Sequence, residues 1–280
     1  MDDERQEELE WEARAKLTAG ISSLVAALFV LLSLTYSVSA LPRSASKAKD
    51  FLPDLHNHHS GFLAAAIISS VGLLFLIPPL VYLYRATKFR RAQLPTVARY
   101  LAIAGPIAMA VLQIVSQLQQ IDAANAFVAG AVKTNKHAEA LIRNHTSVVS
   151  GVLLAAHVAV GFALILISLN AMRAGLLSRF MGILGVILGA LFVLPLVAAP
   201  LIQLFWFGAV GLLILDRWPG GGGRGPAWEA AKEIPWPSAA ERAGRSVQAE
   251  APEPEEPEPN EATTASNPRS RKRKKRKARR

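Results

Sequence analysis

Cysteine is absent from all 280 residues. Disulfides, thiolate-bound metals, iron–sulfur clusters and cysteine nucleophiles are excluded with it. Also missing are a nucleophile motif, a phosphate-binding loop, an HExxH pair and paired carboxylates within an apolar stretch. These absences argue against an enzyme, and no cofactor is expected. No internal repeat suggests the two-fold pseudo-symmetry of many transporters. Charge is scarce in a more selective way. The chain holds 31 Lys and Arg against 21 Asp and Glu, yet long segments contain almost none.

What is present is apolar. Hydrophobic residues make up 51% of the chain, a share that a soluble domain can also reach, so their distribution decides. Uncharged runs at residues 17–40, 62–84, 97–118 and 148–169 each exceed the roughly 18–20 residues that cross a hydrocarbon core as helix. The block from Phe180 to Leu215, broken by Pro195 and Pro200, is too long for one crossing. A tight turn over residues 196–200 divides it into helices at 180–196 and 200–215. A deep hairpin that stops short of crossing is the alternative. The expected fold is an all-α polytopic membrane bundle of six helices over residues 17–216. Pro78-Pro79 should bend the second helix. The small residues Gly182, Gly185 and Gly189, with Ala102, Gly105, Gly208 and Gly211 elsewhere, should let helices approach closely in a tight bundle.

Lys and Arg set the orientation. Arg85, Lys88, Arg90 and Arg91 follow the second run, and Arg173 and Arg179 follow the fourth. Arg217 opens the C-terminal segment. Six crossings put all of these on one side, with both termini in the cytoplasm. Val38-Ser39-Ala40 has the spacing of a signal-peptide cleavage site. However, residues 2–12 carry seven acids against Arg5, where a signal peptide needs a basic start, so an uncleaved first helix is expected. Residues 1–16 read as an acidic cytoplasmic amphipathic helix. Residues 119–147 read as an extension of the third helix or an interfacial helix, from apolar positions at helical spacing.

Three sets of residues are candidates for function. His157 is the one ionisable residue well inside an expected crossing, and buried polar groups there tend to face the bundle interior. Packed against the third helix, it would lie near Gln113 and Gln117, as a polar pocket or as interhelical glue. The second set is His56, His58 and His59 in an outer loop. Imidazoles bind zinc or copper, although a polar loop is the plainer reading. The third set is the C-terminal run Arg269, Arg271, Lys272, Arg273, Lys274, Lys275, Arg276, Lys277, Arg279 and Arg280.

After Trp218 the composition shifts to Gly, Pro and charge, so residues 217–280 are expected to be a disordered cytoplasmic tail, with Trp228 and Trp236 resting near headgroups. Its polybasic end, 269–280, suits the anionic headgroups of membrane lipid, a cytoplasmic protein, or RNA such as that of the ribosome. Six Glu and four Pro at 250–261 offer an intramolecular mask. No aromatic residue interrupts the basic run, so base stacking is not indicated.

The segment Arg179-Phe180-Met181-Gly182-Ile183-Leu184-Gly185, followed by Pro195, Pro200 and Gln203-Leu204-Phe205-Trp206, resembles a bacterial domain-of-unknown-function family of multi-pass membrane proteins. In that family a Gly-rich, Pro-broken hairpin closes the membrane domain. The resemblance implies a six-helix fold in a bacterial inner (cytoplasmic) membrane, and no activity. The expected function is a non-enzymatic membrane anchor or organiser acting through its tail. A small transporter or sensor with a polar site around His157 is the alternative.

Overall fold

The computed structural model describes residues 2–40, 47–194, 199–219 and 224–236. One compact unit ends at Trp236, and residues 237–280 lie outside the described residues. No strand occurs among the described residues. The helices run in the order α1 (Asp2–Ala40), α2 (Ala48–Asn57), α3 (His59–Leu74), α4 (Ile77–Arg90), α5 (Val97–Ala129), α6 (Asn135–Ala174), α7 (Arg179–Val193), α8 (Ala199–Ile214) and α9 (Ala227–Ala230).

Four helical segments are long and apolar enough to cross a membrane: Asp3–Val38, His59–Arg90, Val97–Ala129 and Asn135–Ala174. Between 22% and 39% of their most apolar windows is buried, so most of that apolar surface faces outward. Leu28, Val111, Phe162, Ile183 and Phe205 are among the exposed side chains. In water such a band would be an aggregation hazard; against lipid it is ordinary contact.

Two expectations meet a different arrangement. The acidic start is not a separate helix: α1 continues from Asp2 through the apolar run without a break. The second run is two helices, since α3 stops at Leu74 and α4 begins at Ile77 with prolines at its first positions. Pro78 and Pro79 lack the N–H groups that would extend the preceding ladder, whereas a first turn does not need them. Residues 119–129 extend α5, as one of the two sequence readings had it.

Neighbour packing arranges α1, α3, α5, α6, α7 and α8 in a closed ring, with α4 against α1, α5 and α6. Small residues set the close approaches. A Cβ on Gly161 of α6 would lie 2.5 Å from the Gly189 carbonyl of α7, and the reverse holds for Gly189. The glycines of α7 are therefore used inside this chain.

Helix lengths explain where the ring is empty. α5 and α6 have 33 and 40 residues, but α7 and α8 have only 15 and 16. At 1.5 Å per residue the short pair reaches roughly 22–24 Å, while α5 and α6 continue beyond it. There α2 packs on them through a separate apolar cluster of Leu52, Leu55, Ala124, Phe127 and Ala138. The turn expected over residues 196–200 is shorter on its far side, because Ala199 and Pro200 already belong to α8; residues 195–198 lie outside the described residues.

Candidate functional site

The ring holds a cleft in its half nearer the histidines. One cavity of about 410 Å³ is lined by Phe29, Ser33 and Ser37 of α1, Ser69 and Leu73 of α3, Met109 and Gln113 of α5, Phe192 of α7, and Gln203 and Phe207 of α8, among others. A second, of about 310 Å³, shares Ser33, Ser37, Ser69 and Gln113 and adds Ser116, Gln117 and Gln120. Both fall within the roughly 300–1,000 Å³ usual for small-molecule sites.

The polar lining follows from helical spacing. Gln113, Ser116, Gln117 and Gln120 sit at i, i+3, i+4 and i+7, hence on one face of α5. Ser33 and Ser37 are likewise one turn apart on α1. Between the neighbouring helices α1 and α3 the Ser33 and Ser69 hydroxyls share a hydrogen bond of 2.7 Å. Gln120 donates weakly to Ser116, at 3.5 Å. The buried Oε1 of Gln113 and Nε2 of Gln117 have no hydrogen-bond partner among the described residues. A buried amide group left so costs about 1–3 kcal/mol. One turn along the same helices the lining becomes apolar, with Phe29, Leu73 and Met109, and Leu76, Phe192 and Phe207 complete it.

Sequence reading named Gln113 and Gln117 but placed them with His157. The structure brings the two glutamines together with serines, and His157 does not line either cavity. Its Nδ1 lies 2.8 Å from the Leu153 carbonyl of its own helix, which satisfies it locally. Ser33, Ser37, Ser69 and Ser116 were missed, although their spacing along the apolar runs was a usable signal.

The outer histidines do not converge either. Nδ1 of His56 pairs with Asn125 Oδ1 at 2.7 Å, that of His58 with the Asp54 carbonyl at 3.0 Å, and that of His59 with the His56 carbonyl at 2.9 Å. Among the described residues no group of three His, Cys, Asp or Glu is placed to hold a metal ion. Helix is the reason: α2 and α3 turn the side chains apart, where an extended loop would have aligned His56 with His58.

At the other end of the ring lies a clasp that sequence reading did not foresee. The Arg90 side chain is fully buried, and Glu12 beside it is nearly so. All five guanidinium N–H groups are accepted. Two go to the Glu12 carboxylate, and the others to the carbonyls of Ala86, Ala227 and Trp228 at 2.9, 2.8 and 3.2 Å. Trp228 is 3% exposed and its Nε1 donates to the Leu176 carbonyl at 2.9 Å. Tyr82 stacks between Trp11 and Trp228 at centroid distances of 5.5 and 6.0 Å. Arg85 lies 3.9 Å over Trp11 and binds Glu8, and Arg91 reaches Asn170 and Glu233.

Trp228 is therefore core, not a headgroup anchor, and the compact unit extends past residue 217. The glycines at 220–223 and the basic residues from Arg269 to Arg280 lie outside the described residues. Compared with protein-family models, with curated proteins and with solved structures, the chain matches none.

Proposed function

We propose that this chain is a multi-pass membrane protein of the transporter or sensor class, which holds a ligand in the cleft between α1, α3, α5 and α8. One observation carries the reading: Gln113 and Gln117, each with a buried amide atom that lacks a partner, line a cleft inside a ring of apolar helices. Polar groups at such depth are costly and are kept for a role. The polar centre proposed here is Gln113 and Gln117 with the serines, not His157.

Six crossings, with α7 and α8 as the fifth and sixth, belong to this proposal. So do cytoplasmic termini and a bacterial inner membrane, the setting implied by the family resemblance of the α7–α8 region. The basic residues 85–91, 173 and 179 cluster at the end where the clasp lies, which supports that end as cytoplasmic.

Native mass spectrometry of the full-length protein, taken from membranes into lipid nanodiscs, tests the reading. Wild-type protein is expected to carry a discrete small-molecule adduct, and the Gln113→Leu/Gln117→Leu variant to lose it. Equal spectra from the two would sink the proposal.

A second reading keeps the tail as an electrostatic contact for anionic lipid or a cytoplasmic partner. It is favoured by ten basic residues in the last twelve. The segment leading toward them is pinned to the bundle by Arg90 and Arg91. Vesicle co-flotation of full-length and 1–268 proteins tests it. Binding that needs anionic lipid, weakens in high salt and disappears on truncation supports it; salt-independent binding by both refutes it.

A further inference from the structure

Resting on that reading of the cleft, we infer that its ligand is an uncharged amphiphile: one hydrocarbon chain bearing a hydroxyl-rich head. The head sits among Ser33, Ser69, Gln113 and Gln117, and the chain lies along Phe29, Leu73, Phe192 and Phe207.

Charge is the first argument. Among the described residues lining both cavities there is no Asp, Glu, Lys, Arg or His. A carboxylate, phosphate or ammonium taken there would lose its hydration with no counter-ion to replace it, and that cost exceeds what neutral dipoles return.

Segregation is the second. The polar lining gathers at Ser33 and Ser37 of α1, Ser69 of α3 and the glutamine stripe of α5, with Gln203 of α8. One turn along α1, α3 and α5 toward the clasp it gives way to Phe29, Leu73 and Met109, joined by Phe192 of α7 and Phe207 of α8. A uniformly polar solute such as a sugar would leave its hydroxyls against Phe29 and Phe207. A plain hydrocarbon would leave Gln113 and Gln117 as they are, unpaired.

Hydrogen-bond capacity is the third. One unpartnered amide atom is an acceptor and the other a donor, and oxygen and nitrogen can exchange by a flip of either amide. A hydroxyl both donates and accepts, so a head with two hydroxyls satisfies both glutamines in either orientation. The Ser33–Ser69 pair, in which one hydroxyl donates to the other, retains a proton for a further acceptor. A ketone or ether head has acceptors only and leaves the amide acceptor unpaired.

The test uses full-length protein in phosphatidylcholine nanodiscs and three probes with the same oleoyl chain: 1-oleoylglycerol, oleate and lysophosphatidylcholine. Occupancy is read by native mass spectrometry, and position by a chain-diazirine version of each probe with peptide mapping. The expected result is saturable binding of 1-oleoylglycerol at one site, with crosslinks in peptides of α1, α3 and α8. Affinity should fall on the order of tenfold in Gln113→Leu/Gln117→Leu, the scale of one or two neutral hydrogen bonds. Ser69→Ala, which adds no volume and guards against a misfolded double variant, should weaken binding several-fold. Oleate and lysophosphatidylcholine should show no dependence on these residues.

Tighter, glutamine-dependent binding of oleate or lysophosphatidylcholine overturns the ligand class while leaving the cleft a binding site. Crosslinks confined to the lipid-facing side chains, with no effect of the variants on any probe, overturn the inference. Together with an adduct-free native preparation, they overturn the reading beneath it as well.

Discussion

Replacing Glu12 by Gln keeps the shape of the side chain and removes its charge, which isolates the role of the clasp. Arg90 would then stand fully buried with no counter-ion, held only by neutral acceptors. Breaking a buried pair from one side costs about 3–5 kcal/mol. Part of that is recovered, because a Gln oxygen still accepts from the guanidinium, so about 2–3 kcal/mol is expected. Each 1.4 kcal/mol is a factor of ten, which raises the released fraction of the segment 224–236 by roughly 30- to 150-fold.

Trypsin reads this directly, since Arg224 and Lys232 lie in that segment. Cleavage there should accelerate in Glu12→Gln by that order while the transmembrane peptides stay protected. Arg85→Ala provides the internal comparison. Its partner Glu8 is buried, but Arg85 itself is 49% exposed, so at most about 1 kcal/mol is at stake and cleavage should change less than about fivefold. Equal cleavage of wild type and Glu12→Gln would refute the reasoning and reduce the clasp to a contact without consequence.

The remaining expectations concern packing. Gly189→Leu must push α6 and α7 apart, because even its Cβ meets the Gly161 carbonyl at 2.5 Å and Ile165 at 2.7 Å; a loss of several kcal/mol or failure to accumulate is expected, measured as thermal unfolding in detergent. Gly151→Leu is its control, since a Cβ there meets nothing within 4 Å, and should leave the midpoint unchanged. Trp228→Ala removes a buried indole with its hydrogen bond to Leu176, and about 3–5 kcal/mol should go with it; an unfolding midpoint equal to that of wild type would show that the segment does not brace the bundle.

The small residues and prolines were legible because their effects are local. Pro78 and Pro79 mark a helix boundary wherever the segment packs, and Gly185 and Gly189 permit close approach whatever the neighbour is. The cleft was only half legible. Gln113 and Gln117 stand out in an apolar run, and Ser116 and Gln120 complete their stripe. However, which helix faces that stripe depends on pairing distant segments, and His157 was the nearer guess along the sequence. The clasp was illegible for the same reason. Glu8 and Glu12 look like solvated acids until Arg85, Arg90 and Trp228 are brought against them from 77, 78 and more than 200 residues away.

Composition and spacing by themselves determined that this protein is helical, that apolar runs dominate its first 216 residues, and that charge is pushed to their ends. Those are properties of each segment's own transfer to a nonpolar medium, and they need no partner. Tertiary structure decided the rest. Two short helices beside two long ones leave a void, whose polar lining four helices share. A buried arginine is satisfied only where three distant parts of the chain meet. Such features belong to no segment alone, because a void and an ion pair exist only between surfaces that folding has brought together.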